Sequence, residues 1–590
     1  MKSKLVLWAG AGVSIWSPTS LPLGFDLKLQ LLRQVLDAAD RQTARFHSDL
    51  SRADSSLSRV VNDITPEAFF EIAVRTLGSD FISDLSPVFM SAEPNCLHFK
   101  IAQILAETAK RRYVYLITTN YDLCFETSFR RMGVEFETVL PSSSRPRSNR
   151  CNVISIIKPH GSSDRPSTIV LALSREVQGL SPEFRSYLLE CLSNADVFLM
   201  GYSSCEPDLV PVLLDSKVHS LGIVTKDMRT LYANYVHRML IVQHHGWARV
   251  GFVNGLISLS SIAGVPSGDV PGLRFSLSHA KSLPKIKMTA SERRVIASKI
   301  LNEVNLCKDA IKLGEKCLAM RPLGLRLKSD LLDVLASAYR GTYDFERSMQ
   351  YARKYAVLVK GSRLAKAERE LDNSILRLDL DRAESLCLRT LRMLPKDAGQ
   401  AAKASELRFH LGRIHLYRGI LGGRLTSLER RRIGHWFRRY GIIGKRQGRL
   451  DCLLLSQQHL ARLDMLAGKY SRALNAFEAN RFWWRLLGRR QGMINNLRDE
   501  AKTLYLMSRL PKAYRVYRQV LLEIDLTRSD AYGKFKALWW LRRLSIEMRK
   551  AAAARLWDRQ LQQHLHANRR ITPQWGALLA FYESTSGLIS

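Results

Sequence analysis

Leu5-Val6-Leu7-Trp8-Ala9-Gly10-Ala11-Gly12-Val13-Ser14 is an apolar run that breaks into a Gly-x-Gly turn, and this junction decides the fold. Five consecutive apolar residues predict a strand buried on both faces. The glycines predict a tight turn: they admit φ > 0 and let a phosphate approach the main chain, whose N–H groups then face the anion. The junction therefore points to a nucleotide. Taken alone, Gly-x-Gly is weakly specific, because many strand-to-turn junctions carry two glycines for steric reasons.

Three further runs supply the context. Tyr113-Val114-Tyr115-Leu116-Ile117 ends in Thr118-Thr119-Asn120-Tyr121-Asp122, Val153-Ile154-Ser155-Ile156-Ile157 ends in Lys158-Pro159-His160-Gly161-Ser162, and Val197-Phe198-Leu199-Met200 ends in Gly201-Tyr202-Ser203. Each reads as a strand that stops at small or polar residues. In an open parallel sheet the ligand lies beyond the carboxyl ends of the strands, so the four ends are expected to converge on one crevice.

With these motifs in hand, the N-terminal half resembles the SIR2-like (sirtuin-related) NAD-consuming domains. The resemblance rests on Gly10 to Ser14 with Pro22 shortly after, Thr119 to Asp122, the His160-Gly161 pair, and Gly201-Tyr202-Ser203 followed by Asp208. The pattern looks most like the bacterial SIR2-like proteins of anti-phage defence, which hydrolyse NAD. It covers roughly residues 1 to 265, under half of the chain. Deacylating sirtuins carry two Cys-x-x-Cys pairs, whereas none of the nine cysteines here forms one, so no structural zinc or other metal is expected. Thr119 stands where those enzymes have Gln, and Leu23-Gly24-Phe25 replaces their Asp-Phe-Arg, which puts peptide binding and deacylation in doubt.

The resemblance also implies roles. Nicotinamide is a cationic leaving group, so the protein mainly has to stabilise an oxocarbenium-like ribose. Asn120 would orient the ribose or the attacking water, and His160 would bond a ribose hydroxyl and assist proton transfer. Asp122 would contact nicotinamide or the ribose hydroxyls, and Ser14 with the Gly10, Ala11, Gly12 and Val13 backbone would hold the pyrophosphate. Gly201 and Ser203 would line the adenosine side. Plainer readings stand beside these. Asn120 and Asp122 are suited to an Asx-turn capping a helix that begins near Leu123. His98 reads as a packed or capping residue.

Composition divides the chain. Residues 1–270 carry 27 Lys and Arg against 26 Asp and Glu, which leaves 63 against 28 for residues 271–590. The change falls at the turn-rich Gly264–Gly272 stretch. The expected domains are an α/β Rossmann-like parallel sheet over 1–265, a linker over 266–285 and a basic all-α, TPR-like solenoid over 286–590. The helical part shows a weak repeat at Ala310, Ser348, Ala383, Ala473, Ala513 and Ala551, spaced 38, 35, 90, 40 and 38 residues, with room in the long interval for two degenerate units. Arg430 to Arg432, Arg438-Arg439 and Lys445-Arg446 surround His435, Trp436, Phe437 and Tyr440. That pattern suits nucleic-acid binding, and equally a solvated helix face with core aromatics. Phe482-Trp483-Trp484 reads as packed between helices.

No apolar run reaches the roughly 18–20 residues of a membrane helix. Leu5 to Trp16 imitates a signal core but reads better as the first strand. A cytoplasmic location is expected. The function expected is an NAD+ hydrolase, with NAD+ as substrate, gated by its helical half and depleting NAD in anti-phage defence (abortive infection). The expected partners are NAD, a phage-derived or nucleic-acid trigger, an acidic or nucleic-acid ligand on the basic half, and further copies of the chain, with no membrane. Two alternatives stay open: a non-catalytic scaffold regulated by NAD or ADP-ribose, and a deacylase or ADP-ribosyltransferase.

Overall fold

The computed structural model describes residues 3–36, 64–78, 80–142, 152–202, 206, 208–224, 240, 249–253, 286–304, 306–320, 323–342, 344–358, 363–394, 401–421, 425–447, 449–486, 489–527 and 531–568. The chain divides into two compact units, Met1–Gln34 with Ala73–Lys287, and Val35–Ile72 with Met288–Ser590. The expected linker over 266–285 lies outside the described residues.

The first unit is built on a seven-stranded sheet in the order β3-β4-β2-β1-β5-β6-β7. The strands are β1 (Lys4–Ala9), β2 (Tyr113–Thr118), β3 (Phe136–Val139), β4 (Ile154–Ile157), β5 (Ala195–Met200), β6 (Ser220–Val224) and β7 (Arg249–Val253). Every pairing is parallel. Leu5 to Ala9 are wholly inaccessible, as a strand with no polar alternation must be when both of its faces are covered. On one face Leu5, Leu7 and Ala9 share a core with Ile101, Ile104 and Leu105 of helix Cys96–Ala109. Helix Pro182–Leu192 also packs on β1 and β5. β1 joins β2 on one side and β5 on the other, so the turn after β1 lies between the loops that follow those two strands.

The second unit contains fourteen described helices, from Ala290–Glu303 to Ala551–Ala567. Each of them packs on the next, mostly as helix pairs. The architecture is thus a Rossmann-type parallel sheet followed by a long all-α, solenoid-like region, the fold class expected from the sequence. The repeat has a physical basis. Ala310, Ser348, Ala383, Ala473 and Ala513 each sit at the fourth position of the second helix of a pair, and all five are buried. Ala551 is exposed at the first position of its helix; the equivalent residue is Ala554, one turn later. The long interval holds the pair Ala401–Ile420 and Ser427–Arg446, whose 20-residue helices account for its length.

The turns inside the pairs repeat as well. Leu378, Gly468, Ser508 and Arg549 each take a positive φ, between 56° and 75°, two residues before the second helix. The next N–H reaches back five residues in every case: Asp379 to Ser374, Lys469 to Asp464, Arg509 to Leu504 and Lys550 to Ser545. This is the Schellman closure, which usually recruits glycine. Only Gly468 among the four is glycine.

Candidate functional site

The turn after β1 is held by main-chain bonds. Gly10 N–H donates to the Met200 carbonyl at 2.9 Å, Gly12 N–H to the Gly201 carbonyl at 3.0 Å, and Val13 and Ser14 N–H close a short 3-10 turn onto Gly10 and Ala11. Glycine is needed here because two backbones touch. A Cβ on Gly12 would stand 2.7 Å from Gly201 Cα, and one on Gly10 2.5 Å from the Gly201 carbonyl oxygen. Gly201 itself has φ +58°. The N–H groups of Gly10, Gly12, Val13 and Ser14 thus bond within the protein, and Ala11 is the exposed residue of the turn.

Ser14, at the end of that turn, is buried and gathers three side chains. Its Oγ donates to Asp122 Oδ2 at 2.9 Å and accepts from Asn120 Nδ2 at 3.1 Å. His98 Nε2 lies 3.3 Å away. The His98 ring is oriented by a capping box at the start of helix Cys96–Ala109: Asn95 N–H donates to His98 Nδ1, and His98 N–H donates to Asn95 Oδ1. With Nδ1 accepting, Nε2 carries the hydrogen and donates to Ser14. Burial lowers the His98 pKa to about 4 against the pull of Asp122, so the ring is neutral at pH 7. His98 is therefore the capping residue expected and also part of the Ser14 network.

Asp122 serves twice. Its Oδ1 accepts from Cys124 N–H at 3.1 Å, the Asx-turn foreseen at the start of helix Cys124–Arg131, while Oδ2 faces Ser14. Asn120 differs, since its Oδ1 is buried and has no hydrogen-bond partner among the described residues. A buried amide oxygen left unpaired is costly unless something else supplies a donor.

The loop after β4 is stitched to this group. Lys158, completely buried, donates to the Asp122 carbonyl at 2.6 Å, to Glu126 Oε1 at 3.1 Å and to Ser162 Oγ at 3.2 Å. Ser163 N–H donates to the Tyr121 carbonyl, and Val170 N–H to the His160 carbonyl. Gly161, at φ +88°, lies against Thr168, whose carbonyl oxygen would be 2.2 Å from a Cβ. His160 is buried and its Nε2 lies 3.2 and 3.3 Å from the two Asp208 carboxylate oxygens. Asp208 accepting places the hydrogen on Nε2.

Hydrogen bonds therefore link the loops after β1, β2 and β4, and the turn after β1 is bonded to the end of β5. Of the residues expected at the site, Gly10 to Ser14, Asn120, Asp122, His160 and Gly201 are placed in these loops; Ser203 lies outside the described residues. Lys158 and the His160 partnership of Asp208 were not assigned from sequence. An apolar strand ending in Lys is the signal that could have found Lys158, because an ammonium there needs a buried partner.

His98, Asp122 and Cys124 each offer a ligand atom within 4.8 Å of the others. Their chemistry suits hydrogen bonding better than coordination. His98 Nε2 bears its hydrogen, Asp122 is bonded through both oxygens, and burial, with Asp122 adding to it, pushes the Cys124 thiol well up and keeps it protonated.

Residues 114–222 match the family described as the SIR2-like domain. The N-terminal unit carries a SIR2-like domain. The matched stretch includes Asn120, Asp122, His160, Gly201 and Asp208 and starts after the Gly10 to Ser14 turn. The match points to NAD-related enzymatic chemistry in general. No curated protein matches the chain. Among solved structures, the chain is similar to a signal transduction ATPase with numerous domains (STAND) protein with a tetratricopeptide repeat sensor from Pyrococcus horikoshii. The identity is 12%, the match covers 96% of this chain and 94% of that one, and the TM-score of 0.29 carries no argument.

In the helical unit, the basic stretch resolves into core and surface. Phe437 and Tyr440 are buried beside Phe409, which excludes them as stacking platforms for bases, while Arg431, Arg432, Arg438 and Arg439 are exposed. Arg432 covers the half-buried Trp436 at 4.8 Å from the ring centroid. Trp484 is packed between helices as expected, against Gly492. Among the described residues, no helix is long and apolar enough to cross a membrane.

Proposed function

We propose that the SIR2-like domain hydrolyses NAD+ at the bond between nicotinamide and ribose. The observation that carries this reading is Asn120, whose Nδ2 is pinned by Ser14 while its Oδ1 is buried and unpaired among the described residues. An amide held in this way keeps an acceptor for a water or a ribose hydroxyl. Water oxygen then bonds to the anomeric carbon, the C–N bond breaks, and nicotinamide departs with the bonding electron pair. His160, with Asp208 on its Nε2, takes the proton lost by water. The products are nicotinamide and ADP-ribose.

Ser14 and Asp122 act in this reading as the support that orients Asn120, with the Asp122 carboxylate contributing negative charge near a developing cation. The Gly10 to Gly12 turn and Gly201 shape the wall on which the pyrophosphate rests. The helical unit is the gate that answers a trigger, and the resemblance to NAD-hydrolysing defence proteins supports NAD depletion as the outcome. The test is nicotinamide release from NAD by the full chain, in cells challenged with phage and with purified protein. Asn120→Ala and His160→Ala are each expected to lose about 10²–10³-fold. Turnover that survives both substitutions overturns the assignment.

A further inference from the structure

The helical unit forms a half-open cavity of about 720 Å³ whose lining lies wholly between residues 302 and 543. This volume falls within the range of small-molecule sites and is far too small for a nucleic-acid duplex. Eight arginines and lysines line it, against two carboxylates, Glu303 and Asp499. Both carboxylates are already engaged. Asp499 accepts from Arg462 Nε at 2.9 Å and from Gln458 Nε2 at 2.7 Å, and Glu303 pairs with Arg489 at 2.8 Å. Behind the wall, Asp372 faces Arg340 and Arg413.

Positive charge remains after these pairs are formed. Lys502 makes no hydrogen bond or ion pair with any described residue, and Arg489 keeps 46% of its side-chain surface accessible. The field registers on its neighbours. Burial lowers the Lys502 pKa, with Asp499 opposing and Arg462 reinforcing the shift. Burial would raise the Tyr417 phenol, yet Arg462 and Arg413 bring it below its ordinary value.

On two of the lining residues, Trp484 Nε1 and Arg413 Nε are buried donors with no hydrogen-bond partner among the described residues. Flat apolar surface completes the cavity: Trp539, Trp540, Tyr417 and Tyr532 line it, and Trp540 is stacked on Tyr517 with the rings 10° from parallel. A ligand that satisfies this wall carries several negative acceptor oxygens and a planar ring.

We propose that the cavity of the helical unit binds a nucleotide-class ligand, a planar base with at least two phosphates. The site is separate from the SIR2-like domain and stands or falls independently of NAD hydrolysis. Calorimetric titration of the full chain with the 5′-phosphorylated adenylyl dinucleotide pApA tests it. One equivalent is expected to bind, at least tenfold more weakly when sodium chloride rises from 50 to 300 mM. Lys502→Met is expected to weaken binding at least tenfold, Lys502→Arg to stay within about threefold of wild type, and Asn120→Ala to bind as wild type does. Where circular dichroism shows that Lys502→Met has lost helix, Lys536→Gln takes its place. Absence of pApA binding, loss in Asn120→Ala with retention in the cavity variants, or inorganic tripolyphosphate binding as tightly as pApA would each overturn the proposal.

Discussion

Replacing Ser14 with alanine removes one oxygen and orphans three groups. The hydroxyl donates to Asp122 and accepts from Asn120 and His98, and it is only 2% exposed. A hydrogen bond to a carboxylate is worth about 1.5–3 kcal/mol and each neutral one about 0.5–1.5 kcal/mol, and water entering the vacated space recovers part of the loss. The expected net cost is about 2–4 kcal/mol, confined to the first unit. A single unfolding curve does not suit a two-unit chain, so the assay is amide hydrogen exchange by mass spectrometry on peptides covering residues 5–14 and 114–122. Under conditions where reclosing outpaces exchange, protection there should fall roughly 30- to 700-fold while peptides from the helical unit stay unchanged. A change below about threefold in the first-unit peptides would refute the view that Ser14 ties the strand ends together.

Other expectations follow from the same geometry. His98 stays neutral when folded down to about pH 4 but takes a proton near pH 6.5 when unfolded, so the unfolded chain binds more protons between those values. Stability of the first unit is therefore complete above pH 6.5 and falls by about 3 kcal/mol as the pH drops towards 4; exchange on peptides from 96–109 measures this, and His98→Gln should flatten the dependence. Gly201→Ala forces a Cβ to 2.9 Å from the Gly12 main chain at φ +58° and should cost about 2–5 kcal/mol, read as lost protection in β1 and β5. Arg549→Gly relieves an exposed left-handed residue and should stabilise the pair Ala531–Glu547 and Ala551–Ala567 by up to about 1 kcal/mol, seen as slower exchange there; unchanged or faster exchange would mean that the turn is unstrained.

What could be read from the sequence was whatever a local pattern controls. β1, β2, β4 and β5 are buried on both faces and announce themselves as apolar runs. β3, Phe-Glu-Thr-Val, is a four-residue edge strand whose two central residues are polar, and it has no such signature. The Gly-x-Gly turn was recognised, but its close neighbour is Gly201, nearly 190 residues away in sequence, and no local rule names that partner. The same holds for Lys158 with Glu126 and for His160 with Asp208, whose meaning depends on which loops the sheet order brings together. In the helical unit the small residues set the period correctly through Ala513 and slipped one turn at Ala551. There the alanine run Ala551–Ala554 offers four equivalent registers and only packing selects among them.

The position of β1 within the sheet also bears on how the chain is made. β1 is made before both strands that it pairs with, and needs β2, about 100 residues downstream, and β5, about 190 residues downstream, before both of its edges are paired. At about 5–20 residues per second, Leu5 to Ala9 therefore wait roughly 10–40 s as an unpaired apolar segment. For that interval the nascent chain presents a sticky β-prone segment, and the yield of native protein should depend on chaperone supply during translation more than on the stability of the finished fold.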